Sequence, residues 1–273
     1  MPTILHHIIG LRRAVGSLAA ASVLVRRLLN NSSPLPVKIP APGGGEADTI
    51  FLRPTDSDLF VAGQVFGWRE YELPREIEAE LIALGRSWRA GGTVPIVVDG
   101  GANIGCSSLF FASRFPEAIV LAVEPNPESY ELLLRNTSKC RNVIPVQAAL
   151  WRDDDGVDLE FEEHGSWAAR TVAPRNRPTT RSVTLESLIE TIADARLLIC
   201  KLDIEGAERE VCAASAEILQ SAACVIVETH DFLFKDGGCR AAVTRTLAPT
   251  MTAPSTIGEN LVFLKAPVNG CRS

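Results

Sequence analysis

The ten residues Ile96-Val97-Val98-Asp99-Gly100-Gly101-Ala102-Asn103-Ile104-Gly105 constrain the fold of this chain more than any other stretch. The β-branched run suits a strand covered on both faces, as in a parallel sheet. It leads through a glycine-rich turn into Cys106-Ser107-Ser108-Leu109-Phe110-Phe111, which can carry a helix. Glycines there let the backbone turn sharply and bring its N–H groups close to a ligand. From Asp99 to Gly105 the spacing is D-x-G-x-N-x-G, whereas a dinucleotide fingerprint reads G-x-G-x-x-G. A carboxylate at the head of the turn repels a pyrophosphate but attracts a cationic amino group, directly or through water.

Further strands are predicted at 118–123, 143–148, 197–202, 223–227 and 260–265, the last partnered around 250–253. Helical spacing predicts helices over 58–67, 76–90, 105–114, 206–219 and 239–247, with others opening at 126 and 182. This alternation implies an α/β, doubly wound, mostly parallel sheet. Ligands of such sheets sit at the carboxyl ends of the strands, here between the first and fourth. Asp99, Glu124, Asp203 and Glu228 all fall at predicted carboxyl ends. Glu124 follows Asp99 by 25 residues, close to the spacing at which an acid takes the hydroxyls of a ribose. Asn126 before Pro127 reads as an N-cap with proline at the first helical position, or as an adenosine contact.

Four more segments accompany the turn: Arg53-Pro54-Thr55-Asp56-Ser57-Asp58, Glu124-Pro125-Asn126-Pro127, Lys201-Leu202-Asp203-Ile204-Glu205-Gly206-Ala207-Glu208 and Val227-Glu228-Thr229-His230. Together they resemble the FkbM family of methyltransferases over roughly residues 50 to 265, most specifically in K-x-D-x-E-G-x-E. The resemblance implies a Rossmann-like class I methyltransferase sheet with an antiparallel C-terminal edge strand. It implies S-adenosylmethionine as cofactor and a hydroxyl acceptor on a sugar, glycolipid or other secondary metabolite. Cofactor contacts then fall to Asp99, Gly101, Asn103, Gly105, Glu124 and Asn126, with Ala148 on the adenine side. Tyr71 is a further candidate contact from the front segment; alternatively, Trp68 and Tyr71 staple that segment to the core.

Methyl transfer to a hydroxyl benefits from a base. Asp203, Glu205 and His230 are the candidates, with Asp231 as a fourth. His230 has the most suitable ordinary pKa; Asp203 has the best place, at a strand end. Glu208 reads as a shaper of the strand-to-helix turn. No metal is expected; if Mg²⁺ binds, Asp203, Glu228 and His230 offer its ligands. Strand four carries no N/D-P-P-Y/F segment of the kind that holds an exocyclic amine, which leans the chemistry towards oxygen acceptors.

Of the 273 residues 46% are hydrophobic, ample for a buried core. Residues 1–45 contain Arg12, Arg13, Arg26, Arg27 and Lys38 but no acid, which leaves 22 basic against 33 acidic residues beyond them, a net −11. An acidic body argues against a nucleic-acid substrate, whose phosphates need a basic footprint. Seven scattered cysteines without C-x-x-C or Cys/His spacing fit a reducing cytoplasm. Residues 1–30 form a cationic apolar helical segment, placed on a membrane surface or packed on the body, because the apolar stretch 14–25 is too short to span a bilayer. Residues 31–48 read as a Pro/Gly/Ser-rich linker and 49–268 as one domain, with a cap over 49–92 and an insertion over 152–181. Two other readings stay open at this point: a nicotinamide-dependent oxidoreductase, and a non-catalytic scaffold at a membrane.

Overall fold

The structure, a computed structural model, describes residues 4–41, 47–161, 169–174, 177–231 and 238–266. Two helices open the chain, α1 (Ile4–Val15) and α2 (Ser17–Leu28), separated by Gly16 at φ 81°. An antiparallel pair follows, β1 (Leu35–Ile39) and β2 (Asp48–Leu52). The first of these corrects the linker expected over 31–48. Leu35, Val37 and Ile39 are buried while Pro36 and Lys38 are exposed, so a period-two apolar pattern prevails over the surrounding Pro and Gly.

A short helix, α3 (Asp58–Ala62), runs into one turn of π-helix, Gly63–Trp68, where a single regular helix was expected. Helix α1 lies on that turn so closely that a Cβ added to Gly67 would stand 2.1 Å from the Gly10 carbonyl oxygen. Leu11 and Ala14 of α1 are buried there. Next comes α4 (Arg75–Ala90), with Leu81 and Gly85 on its buried face.

The central layer then builds up as β3 (Val94–Gly100), α5 (Cys106–Arg114), β4 (Ile119–Val123), α6 (Pro127–Thr137) and β5 (Val143–Val146). A short β6 (Ala149–Leu150) pairs in parallel with β9 (Ser182–Val183), and between them lies the hairpin of β7 (Asp158–Phe161) and β8 (Ala169–Val172). Of the insertion, Gly165-Ser166-Trp167 lies outside the described residues. The second half continues with α7 (Leu185–Ile189), β10 (Ala195–Leu202), α8 (Glu208–Ala214), α9 (Ala216–Ser221), β11 (Cys224–Glu228), α10 (Cys239–Leu247), β12 (Ser255–Ile257) and β13 (Asn260–Leu264).

The main sheet has the order β12-β13-β11-β10-β3-β4-β5. Its strands from β11 to β5 are parallel, and β13 and β12 make the expected antiparallel edge. The partner of β13 on this edge is nevertheless β12, two to four residues beyond the expected stretch, where Met251 makes only a bridge to Lys265. A two-residue turn through Gly258, at φ 59°, sets that register. Strand order reverses between β3 and β10, which opens a crevice beyond their carboxyl ends.

Alternate residues of each strand feed two cores. On one face Val97, Val120, Ile199 and Ile226 meet α5 and the front segment; on the other Ile96, Leu121, Cys200 and Val225 meet α7 to α10. Arg53 locks the front segment to α6: it donates to both carboxylate oxygens of the fully buried Asp58 and to Ser129 Oγ. Asn136 completes the joint by binding the Phe51 N–H and carbonyl and the Ile104 carbonyl.

Candidate active site

The turn after β3 is held from beneath. Asp99 is fully buried; it accepts from Ser107 Oγ at 2.8 Å and Ser108 Oγ at 2.6 Å and pairs with Lys201 Nζ at 3.2 Å. The Asp99 carboxylate thus tethers the turn to the first turn of α5. Ala148, also fully buried, likewise presents no side-chain surface to the crevice. Gly101, at φ 72°, is a glycine because an added Cβ would stand 1.8 Å from the Asp203 carbonyl oxygen. Gly101→Ala is therefore expected to displace the loop after β10 and destabilise the fold by at least about 2 kcal/mol, read from thermal unfolding. Gly105, at φ 90°, fits under Leu133 and Thr137 of α6.

Two groups beside the crevice keep unused hydrogen-bonding capacity, Glu124 and Asn103. Glu124, at the end of β4, accepts the Asn103 N–H on one carboxylate oxygen and the Asn126 N–H on the other, both at 2.8 Å. Each oxygen keeps a lone pair for a hydroxyl. Burial pushes the Glu124 carboxyl up to about 7, against the pull of these N–H groups. Asn103 sits in the left-handed region at φ 49°, and its Oδ1 is buried with no hydrogen-bond partner among the described residues. Asn126 caps α6, with Oδ1 accepting from the Glu128 and Ser129 N–H groups, as its spacing suggested.

Lys201 joins this turn to a second cluster. Only 1% exposed, it donates to the Gly101 carbonyl at 2.8 Å and stands 3.5 Å from Asp203 Oδ2. The tight turn after β10 carries two left-handed residues, Glu205 at φ 50° and Gly206 at φ 94°. Glu208, fully buried at the start of α8, closes the turn by accepting the Ile204 and Gly206 N–H groups. The same oxygen takes His230 Nδ1 at 2.8 Å. The other ring nitrogen, Nε2, therefore points at Glu205 (3.4 Å), Asp203 (3.8 Å) and Glu228 (3.9 Å). Ligand atoms of Asp203, Glu228 and His230 lie within 4.8 Å of one another, close enough to share a divalent ion. Asp231 instead takes the Gly238 and Arg240 N–H groups at the start of α10.

The front segment reaches this cluster through Glu70 and Tyr71. Tyr71 is buried against Phe110 and Phe111, with Lys201 Nζ 5.8 Å from its ring centre. These contacts join cap to turn, and Tyr71 stays a candidate cofactor or substrate contact beside them. Burial, followed by Glu259 and Asp203, raises Glu70 to about 7.

Protons are retained in this cluster. Burial raises Glu205 to about 8, partly offset by His230. Burial and Asp203 raise Glu228 to about 9. Burial opposes the charge on His230, but the hydrogen bond and charge of Glu208, with Glu205 and Asp203, outweigh it and lift the imidazole to about 10. Unfolding lets Glu228 return to 4.5 and His230 to 6.5, so the unfolded chain binds fewer protons than the native one at intermediate pH. The stability these groups contribute is full below the unfolded values and is lost as pH rises through about 9 and about 10. In the presence of chelator, the melting temperature is expected to fall from about pH 6 to about pH 9.5, and less steeply in Glu228→Gln.

Lys201, the first residue of K-x-D-x-E-G-x-E, has no role in the sequence reading. A lysine inside the apolar run Leu197-Leu198-Ile199-Cys200-Lys201-Leu202 was the available signal, because a buried cation needs an anion. Ser107 and Ser108 were likewise legible as small donors in the first turn of the helix that follows the acid.

Comparison with known proteins bears on the same residues. The sequence profile of the Methyltransferase FkbM domain matches residues 99–264, well over half of the chain. The hexuronic acid methyltransferase AglP of Haloferax volcanii is 28% identical over 136 residues, covering 50% of this chain and 56% of that protein. Methyltransferase sdnD of Sordaria araneosa is 27% identical over 152 residues, covering 43% and 59%. Methyltransferase 1 of Beauveria bassiana is 27% identical over 140 residues, covering 42% and 56%. The chain thus spans little more than half the length of the curated relatives it matches.

Proposed function

We propose that this chain, which belongs to the FkbM methyltransferase family, transfers a methyl group from S-adenosylmethionine to a hydroxyl of a sugar, glycolipid or related secondary metabolite. One observation carries the reading. Lys201 ties the Asn103/Glu124 side of the crevice, through Gly101, to the Asp203/Glu205/Glu228/His230 side at the ends of adjacent strands.

The first side suits the cofactor. The orphaned Asn103 Oδ1 offers a buried acceptor, and Glu124 offers carboxylate lone pairs to vicinal ribose hydroxyls. S-adenosylmethionine, when bound, supplies a methyl group on a sulfonium. The second side suits an acceptor. At neutral pH Glu205 and Glu228 hold protons and His230 carries charge, so they donate hydrogen bonds to hydroxyl oxygens. Asp203, whose side chain is 26% exposed, is the acid left to accept the hydroxyl proton. Glu208 holds both the turn and the histidine ring in place.

Lys201 and His230 face the carboxylates of Asp99, Asp203 and Glu208, and with Glu205 and Glu228 protonated the cluster keeps a single negative charge, too little to call for a divalent ion. Dialysis against EDTA is therefore expected to leave turnover within about twofold, with Mg²⁺ restoring nothing further. Full loss with recovery on Mg²⁺ would instead assign Asp203, Glu228 and His230 to an ion. The acceptor class is tested with S-adenosylmethionine labelled in its methyl group and a panel of neutral sugars, uronic acids and glycolipids. The proposal expects label that survives mild alkali, as an ether does; label released by alkali would mean a carboxyl ester.

A further inference from the structure

We infer that α1 and α2 form a docking face for an anionic membrane surface, with α2 lying in the lipid–water interface. On α2, Leu18, Val25 and Leu28 recur at helical spacing, with Leu29 just beyond them. They are 90, 52, 85 and 74% exposed, and Leu5 of α1 is 65% exposed. The opposite stripe of α2, Ala20 and Val23, is buried. The helix is thus apolar on two sides, and the fold covers only one. A contiguous set of exposed leucines marks an interaction site, since soluble surfaces carry large aliphatics singly.

Charge identifies the occupant. Residues 1–45 carry five basic side chains and no acid. Arg13 and Arg27 turn onto the body, Arg13 4.2 Å over the Trp68 ring and Arg27 donating to the Pro54 and Asp56 carbonyls, while exposed Arg12 donates to Ser17 Oγ where α1 meets α2. Pairing this face with the same face of a second copy would bring these arginines together. An anionic bilayer takes both the leucines and the positive charge. No described helix is long and apolar enough to cross a membrane, so the contact is interfacial.

The contact is also mechanically joined to the cap. Cβ atoms on Gly63 and Gly67 would stand 2.9 Å and 2.1 Å from the α1 backbone, so α1 and the π turn move as one body. That turn leads within two to three residues to Glu70 and Tyr71 beside the acidic cluster. Docking through α1 and α2 therefore fixes the attitude of the crevice towards the bilayer.

The test is co-sedimentation of the full chain with vesicles of phosphatidylcholine alone and of phosphatidylcholine mixed with phosphatidylglycerol. Binding to the mixed vesicles is expected to be at least about tenfold tighter and to weaken with salt. The variant Leu18→Asp/Leu28→Asp/Leu29→Asp is expected to lose binding while keeping its melting temperature, because these side chains are exposed. Arg12→Glu/Arg26→Glu keeps the leucines and is expected to lose the preference for phosphatidylglycerol. Equal binding to both vesicle types, or no binding at low salt, overturns the inference. So does a concentration-dependent dimer in sedimentation velocity that only the aspartate variant abolishes.

Discussion

Lys201→Met is expected to destabilise the protein by about 3–5 kcal/mol, because it leaves the buried Asp99 charge without its cation. The lysine is enclosed and has three partners within 3.5 Å: the Gly101 carbonyl, Asp99 and Asp203. Methionine fills most of the volume, so the loss reports charge and hydrogen bonding and not a cavity. Two serines still donate to Asp99 but bring no formal charge. Chemical denaturation reads the effect directly. The double variant Asp99→Asn/Lys201→Met is expected to recover much of the loss, since it removes the uncompensated charge as well. A cost below about 1 kcal/mol for the single variant would mean that the pair is not what holds the turn.

Asp203→Asn is expected to lower kcat by about 10²–10⁴ while leaving affinity for S-adenosylmethionine within about threefold. The substitution keeps shape and hydrogen-bonding reach but removes the only group in the cluster assigned to take a proton. His230→Gln is expected to do less. The imidazole is charged at neutral pH and already bonded to Glu208, so it has no lone pair to offer until strongly alkaline pH. Equal losses in the two variants, with the wild-type rate rising through about pH 10, would reverse the assignment and make His230 the base.

The strand–turn–helix at the centre was legible because its signals are local: a β-branched run, glycines and an acid at fixed spacing. The same holds for the Asn126 cap, where the side-chain oxygen and the following proline act within one helical turn. What was not legible depends on distant contacts. Asp99 reads locally as a group for a cationic ligand, and its tie to Lys201, 102 residues on, and to two serines could not be read from the turn alone. Gly101 reads as a glycine that lets the turn approach a ligand, and the Asp203 carbonyl that fills the place of its Cβ lies in a distant loop. Strand β1 was hidden by neighbouring prolines and glycines, although Leu35, Val37 and Ile39 alternate cleanly. Strand β12 was hidden because Ser255 and Thr256 are polar, and pairing along an edge strand needs no apolar run.

Titration calorimetry of the full chain with S-adenosylmethionine, for wild type and Glu124→Ala, tests the central claim most directly. Micromolar binding by wild type, weakened at least about a hundredfold in a variant with an unchanged circular dichroism spectrum, is the predicted result. The contradicting result is folded wild-type protein that takes up no S-adenosylmethionine, with or without Mg²⁺ and hydroxylated acceptors. Undiminished binding by Glu124→Ala would also contradict the account, by moving the cofactor away from the end of β4.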